Sequence, residues 1–556
     1  MFVLLSIENV LINYTSTAMN VALSAIVRDL HTSLTGVQSA ISLYALVVAA
    51  CLITGSKLGA RRGYPRTFVL GGEVFGVGAL ITALGPSLPF MLVGWSVLQG
   101  VGVALMLPAV VAMLTAAFTG ATRTKVLSAL GVTAGIGAAA GPVVGGLITH
   151  YLSWRVSFLL ETVVTSAVVL LMWRTADPGR PRVRPGQRFD VLGALLSAAG
   201  FGLLVVATLL AGRYGLLRDR KDFEVFGNTL LHRGQVSPVP LLAGIGLAVL
   251  GVFAGWERHL IRRGRDPLVR LSVLRNRTIR VGTLTLVMQI LVPTGMLFLV
   301  PVFLQTTVGF DALRSGVTLI AVPLGLTVAA STAARLIASG RMTHRTAQMG
   351  AFLCMAAGCV AIAVMFDPRQ REVSAIGLAL APGLLLIGLG RGLATTVTDL
   401  IQSAPPPEEV SDVTGLSRTA GYLGSSFGVA LAGAFMTTAL LFAFEAAADA
   451  SDVLSSDQKQ LVKQTLDHQI QITAATDGAV RTKLASRGIT GAVADELVRI
   501  NARARGEALT VAATGMGALA LIGFGLALRI PRGGHPGDSM ANAPPPPPTP
   551  PPQPCD

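Results

Sequence analysis

Fourteen stretches of about twenty or more mainly apolar residues follow one another along this chain. They run near 2–26, 36–56, 67–85, 89–117, 126–149, 155–173, 190–212, 238–256, 281–305, 315–337, 347–366, 374–398, 414–442 and 508–530. Each is long enough to cross a hydrocarbon layer of about 30 Å as one helix. Inside that layer a backbone must satisfy its own polar groups, so runs of this length are expected to be helical. The fold expected is an all-α polytopic membrane protein with 14 transmembrane helices. Composition agrees, with 13% charged and 52% hydrophobic residues and a mean hydropathy of +0.64. A soluble chain carries about a quarter charged residues.

The net charge of +15 would suit nucleic acid, but its placement argues against that partner. Basic residues cluster in alternate connections: Lys57/Arg61/Arg62/Arg66, Arg123/Lys125, Arg174 to Arg188, Arg258 to Arg280, and Arg335/Arg341/Arg345. Those loops hold twenty-two basic residues, and the short odd-numbered loops hold ten. Positive loops stay in the cytoplasm, so a multi-pass protein of the cell membrane with both termini cytoplasmic is expected. Cys51, Cys354 and Cys359 lie in apolar runs and Cys555 in the tail, which is no disulfide or metal framework. No cofactor is expected. Met1 leads directly into apolar sequence without a basic n-region, so the first run is expected to remain in the mature protein.

Three segments are too polar to span. Residues 213–237 are expected to form a small ordered outer loop. Residues 443–507 mix Ala with balanced charge and read as two soluble helices outside the membrane. Residues 532–556 end in PPPPPTPPPQP, a disordered proline-rich tail. Within the fifth run, GAAAGPVVGG at 137–146 places Gly137, Gly141 and Gly145 on one helix face, with Pro142 and Gly146 beside them. A face without side chains lets another helix approach closely, and Pro142 is expected to bend the helix. The stretch suits either a hinge between moving bundles or a static packing seam.

An internal echo follows. LGVTAGIGAAAGPVVGG in span 5 resembles LSRTAGYLGSSFGVALAG in span 13, and GVGVALMLPAVV in span 4 resembles GRGLATTVTDLI in span 12. With spans 7 and 8 as an insert, these are equivalent members of two six-helix halves, a known transporter plan. The expected division is 1–175, a two-helix insert at 176–275, and 276–531. With these residues in view, the chain resembles the major facilitator superfamily, specifically its fourteen-span drug/proton antiporter branch. GAAAGPVVGG resembles that branch's fifth-span antiporter motif, and LQGVGVALMLPA the end of its fourth-span motif. TAMNVAL (17–23), SWRVSFLLE (153–161), PVFLQTTVGFDALRSG (301–316) and VTGLSRTAGYLGSSFGVAL (413–431) match other spans. The resemblance implies export of amphipathic, drug-like or lipid-like compounds by alternating access, driven by protons.

The departures cluster. Thr15 stands where the family has a span-1 acid, Ser96 where it has the span-4 Arg, and Ala60 where it has the Asp of the 2–3 loop; Arg61, Gly63 and Arg66 are retained. A buried acid without its Arg is costly, as is the reverse, so losing both is easier to tolerate than losing one. The usual first-half relay is therefore absent. Either coupling has moved, or the protein is a gradient-independent lipid facilitator or a transport-inactive scaffold.

No enzymatic motif appears, so charges inside spans are the functional candidates. Glu8 is either a relocated proton site or an interfacial residue. Glu73 is either a coupling site or the partner of a loop Arg. Glu161 reads first as an interfacial ion pair with Arg155. Arg391 and Asp399 share a face of span 12 about 12 Å apart. Arg391 either meets an anionic substrate group or is neutralised by a carboxylate of a neighbouring helix. Thr15, Ser96, Gln99, Gln289 and Gln305 are cavity candidates or interhelical hydrogen bonds. Arg61, Gly63 and Arg66 fit a cytoplasmic gate. The expected partners are a small-molecule or lipid-like substrate, the proton and membrane lipids.

Overall fold

The computed structural model describes residues 1–118, 120–175, 190–214, 223–225, 228–231, 237–265, 267–268, 270–365, 373–405, 409–456, 459, 477–486 and 489–531. Fourteen helices among them are long and apolar enough to cross a membrane. Spans 1–7 are Phe2–Asp29, Leu34–Arg62, Tyr64–Leu84, Leu88–Ala117, Ala129–Tyr151, Trp154–Arg174 and Val191–Leu210. Spans 8–14 are Pro238–Arg262, Arg277–Val308, Ala312–Ala338, His344–Met365, Ile376–Ser403, Asp412–Asp449 and Ala492–Ala527. The proline-rich tail lies outside the described residues.

Local chemistry sets several ends. Ser33 Oγ accepts the Gly36 N–H at 3.1 Å to open span 2, and Asn276 and Asp311 cap spans 9 and 10 in the same way. Gly63 closes span 2 at φ 94°, a region costly for any residue with a Cβ, and Pro65 starts span 3. Span 9 ends in a π-helical turn, Leu304–Val308, stopped by Gly309 at φ 80°.

The packing repeats itself. Span 1 lies on 5, span 2 on 4, span 3 on 4 and 6. Eight spans later, 9 lies on 13, 10 on 12, and 11 on 12 and 14. Two further contacts, 2 on 13 and 5 on 10, exchange with each other under the same shift. That is the signature of two like units related by a pseudo-two-fold axis. Span 7 packs on 8 and also on 2 and 13.

Two polar connections take the following form outside the membrane. In the 213–237 loop, β1 (Phe223–Val225) and β2 (Asn228–Leu231) pair antiparallel, so this polar connection carries a short hairpin within the ordered outer loop expected there. In 443–507, the described residues at both ends continue the span helices, where the sequence leads one to expect two separate soluble helices. The helix of span 13 runs unbroken to Asp449, and that of span 14 begins at Ala492. A short helix, Asp477–Ala485, lies between them. Alanine-rich sequence with balanced charge keeps good helix propensity, so nothing stops these helices where the apolar run stops.

Candidate transport path and its buried charges

The end carrying the 1–2, 5–6 and 9–10 connections is the one the charge bias places outside, and there the two units are latched. Gln305 Nε2 donates to Val21 O at 2.9 Å, and Gln305 Oε1 accepts the Ser24 N–H at 3.1 Å. Gln305 therefore ties span 9 to span 1 and is not a free cavity residue. Gly146 abuts the Ala312 carbonyl, the Pro142 carbonyl abuts Gly316, and His150 lies 3.4 Å from Asp311. Arg505, from span 14, donates to Thr306 O beside the latch and pairs with Asp477. Further along span 5, Gly135 and Gly131 meet nothing within 4 Å.

Replacing Gln305 by Ala removes two hydrogen bonds that each contribute about 0.5–1.5 kcal/mol. In a cysteine-free background carrying T149C, an impermeant thiol reagent is expected to label Q305A several-fold faster than the parent. Equal labelling would show that this latch does not hold the outer end shut.

Span 5 uses two faces. Gly137, Gly141 and Gly145 pack on Val10, Thr17 and Ala18 of span 1, while Pro142 and Gly146 meet span 10. The helix continues through Pro142 without a break. The four-residue glycine stripe is thus a close seam within the first unit, and the neighbouring pair is the contact between units.

Two carboxyls are buried in the first unit. Glu8 is 0% exposed and accepts Thr165 Oγ1 at 3.1 Å. Glu161 is 1% exposed and accepts Gln99 Nε2 at 2.9 Å. Thr165 lies one turn beyond Glu161, so span 6 carries both carboxyl contacts on one side. A cavity of about 10 Å³, at the threshold for a single water, adjoins Glu161 and is lined by Thr15, Gly145, Thr149 and Ser157 among others. Tyr14 and Ser157 hydrogen-bond beside it at 2.9 Å. Trp95 stacks on Tyr44 with centroids 5.2 Å apart and meets Phe158 edge-on. This wall leaves the carboxyls in a largely apolar surround.

The second unit carries the opposite charge. Arg391 in span 12 donates to the Gln289 carbonyl of span 9 at 3.3 Å. Arg418 in span 13 sits one turn before Tyr422. Both are partly buried.

A family model described as Major Facilitator Superfamily matches residues 9–429. The chain belongs to the major facilitator superfamily. It is similar to the Tetracenomycin C resistance and export protein of Streptomyces glaucescens, 29% identical over 431 residues, which are 76% of this chain and 73% of that one. It is also similar to the Puromycin resistance protein pur8 of Streptomyces alboniger, 30% identical over 419 residues and 75% and 77% of the two chains. Multidrug resistance protein Stp of Mycobacterium tuberculosis (strain ATCC 25618 / H37Rv) is 24% identical over 425 residues, covering 75% and 72%. Among solved structures, a bacterial homologue of the human lysosomal transporter Spinster, inward-facing and unoccupied, superposes with a TM-score of 0.59. Identity is 12%, and 95% of this chain and 96% of that one are covered. An auto-inhibited POT-family peptide transporter gives 0.56 at 15% identity, with 96% and 98% covered. These structural likenesses show the fold.

Within this facilitator fold several sequence expectations change. Glu161 does not pair with Arg155. That Arg reaches Asp29 at 2.9 Å and the Ala83 and Gly85 carbonyls, because it lies at the helix end while Glu161 lies two turns deeper. Glu8 is buried rather than interfacial. Glu73 is exposed on span 3, outside the buried set, because that helix turns Gly71, Gly72 and Phe75 inward instead. Ser96 donates to the Ala40 carbonyl at 2.8 Å, a helix–helix bond rather than a cavity contact. Arg391 has no carboxylate within ion-pair distance among the described residues; a backbone carbonyl receives it. Asp399 is exposed near the end of span 12. Gln289 is 2% exposed, and its Oε1 makes no hydrogen bond among the described residues. Arg61 and Arg66, with Arg62, Thr67 and Leu70, line a surface recess of about 490 Å³. Sequence reasoning missed Arg418, although a charge inside the apolar run of span 13 is itself the signal for it.

Proposed function

We propose that the protein exports amphipathic organic compounds across the cell membrane by alternating access, with both termini in the cytoplasm. Units 1–175 and 276–531 rock about the 5/10 and 2/13 contacts, and 176–275 is an insert beside them. The chain is an efflux transporter by family and by its relatives' roles; its substrates and driving ion are the proposal. The observation that carries the mechanism is the pairing of like units whose contacts exchange under a single shift, latched at the outer ends of spans 1, 5, 9 and 10. Such an arrangement offers two interchangeable closures, one at each end. With the outer end latched, the alternate closure would form at the cytoplasmic end, where Arg61, Gly63 and Arg66 would serve it.

We propose further that proton coupling resides in Glu161 and Glu8. The family's usual span-1 acid is replaced by Thr15, yet Thr15 and Glu161 line one cavity. The carboxyl has moved from span 1 to span 6 while its location in space is kept. The test is counterflow in proteoliposomes of purified protein, with an imposed pH gradient and a fluorescent amphipathic probe. Gradient-driven accumulation supports proton antiport; a rate indifferent to pH selects facilitation instead.

A further inference from the structure

The second unit carries two partly buried arginines, Arg391 and Arg418. The faces of span 13 can be assigned from its contacts. Gly424 and Gly428 lie on the Val287 and Leu291 carbonyls of span 9. Thr419 donates to Ala49 O at 3.5 Å and Ser426 to Ser42 O at 2.8 Å, both on span 2. Leu423 and Phe427 pack with Leu46 and Val205 of spans 2 and 7. At 100° per residue, Arg418 falls between the span-2 face and the span-9 face, on the side away from span 7. That gap lies between the two units, where span 1 touches both 2 and 9. Arg391, on span 12, reaches toward span 9 as well, where it donates to the Gln289 carbonyl at 3.3 Å.

Neither cation has a carboxylate within ion-pair distance among the described residues. Asp412, the nearest carboxylate along span 13, pairs with Arg270 at 3.8 Å. The buried carboxyls of the first unit are bound to Thr165 and Gln99. An unpaired guanidinium away from bulk water is costly, and the cost is relieved when a ligand supplies the counter-charge. Tyr422 supplies an aromatic ring one turn along from Arg418, and guanidinium forks suit carboxylates, sulfonates and phosphates.

We propose that Arg418 and Arg391 form an anion-selective substrate site, taking aromatic compounds that carry a carboxylate, sulfonate or phosphate. This rests on the efflux reading and gives its substrate class. Naphthalene-2-sulfonate and the aromatic cation ethidium are titrated by calorimetry into the full-length protein in nanodiscs. The sulfonate is expected to bind the parent, to bind R418Q and R391Q at least ~10-fold more weakly, and to bind R418K with an affinity between those of the parent and R418Q, since Lys keeps the charge but not the fork. Thermal melting of each variant establishes that it is folded. Sulfonate affinity unchanged in the folded R391Q/R418Q double variant, or ethidium bound tighter than the sulfonate by the parent, overturns the proposal. Arginine-dependent binding without movement of the sulfonate in vesicles leaves the site standing and sinks the export reading.

Discussion

Proteoliposomes bearing E161Q are expected to lose at least ~10-fold of their pH-gradient-driven transport, about 1.4 kcal/mol on the coupled step. Glu161 is 1% exposed and touches Gln99 of span 4 while facing the small cavity beside Thr15 of span 1. A carboxyl there binds or releases a proton only when the surrounding helices admit water, which is what couples protonation to a change of state. Glutamine keeps the shape and the contact with Gln99 but cannot exchange the proton, so the variant should fold and melt like the parent. E8Q, one step removed through Thr165, is expected to show a smaller loss. E73Q, exposed on span 3, is expected to show none. If E161Q kept full dependence on the pH gradient, the relocated relay would be wrong, whatever the protein exports.

The second large effect concerns the seam between spans 5 and 1. A Cβ added at Gly141 would strike the Thr17 hydroxyl and lie 2.9 Å from Ala18 N, and one at Gly137 would press on the Val10 carbonyl. Backbone cannot give way as a flexible side chain does, so G141V and G137V are expected to lower stability by at least about 1–3 kcal/mol. A clear drop in melting temperature in detergent and reduced yield would report it. G135A is the internal control, since its new methyl meets nothing within 4 Å and Ala favours helix over Gly by about 1 kcal/mol. Equal melting of G135A and G141V would mean the seam is looser than its geometry.

Burial divides the site residues that the chain displays as sequence. Glu8, Glu73 and Glu161 look alike as carboxyls inside apolar runs. Two are sealed behind Thr165 and Gln99, and the third faces outward. A run hydrophobic on all sides has no periodic mark to tell a bundle-facing position from a lipid-facing one, so rotation about the helix axis is settled only by neighbours. Arg155 illustrates the same point. Sequence spacing offered it to Glu161, but the chain reversal at residues 151–153 brings it to Asp29 and the Ala83 and Gly85 carbonyls. Gln305, offered as a cavity group, became a latch because span 1 lies across its end.

The number of crossings, their helical form and the repeat of one half in the other were fixed by the sequence itself. A bilayer leaves a long apolar run no alternative to helix, and the glycine stripe at 137, 141 and 145 leaves a face on which another helix can lie closely. Tertiary structure alone decided which neighbour that is and which acids are hidden. It also decided that Arg391 is received by a backbone carbonyl rather than by a carboxylate among the described residues. These depend on contacts between segments hundreds of residues apart, such as Gln305 with Val21 and Ser426 with Ser42, and no local pattern carries information about a partner so far along the chain.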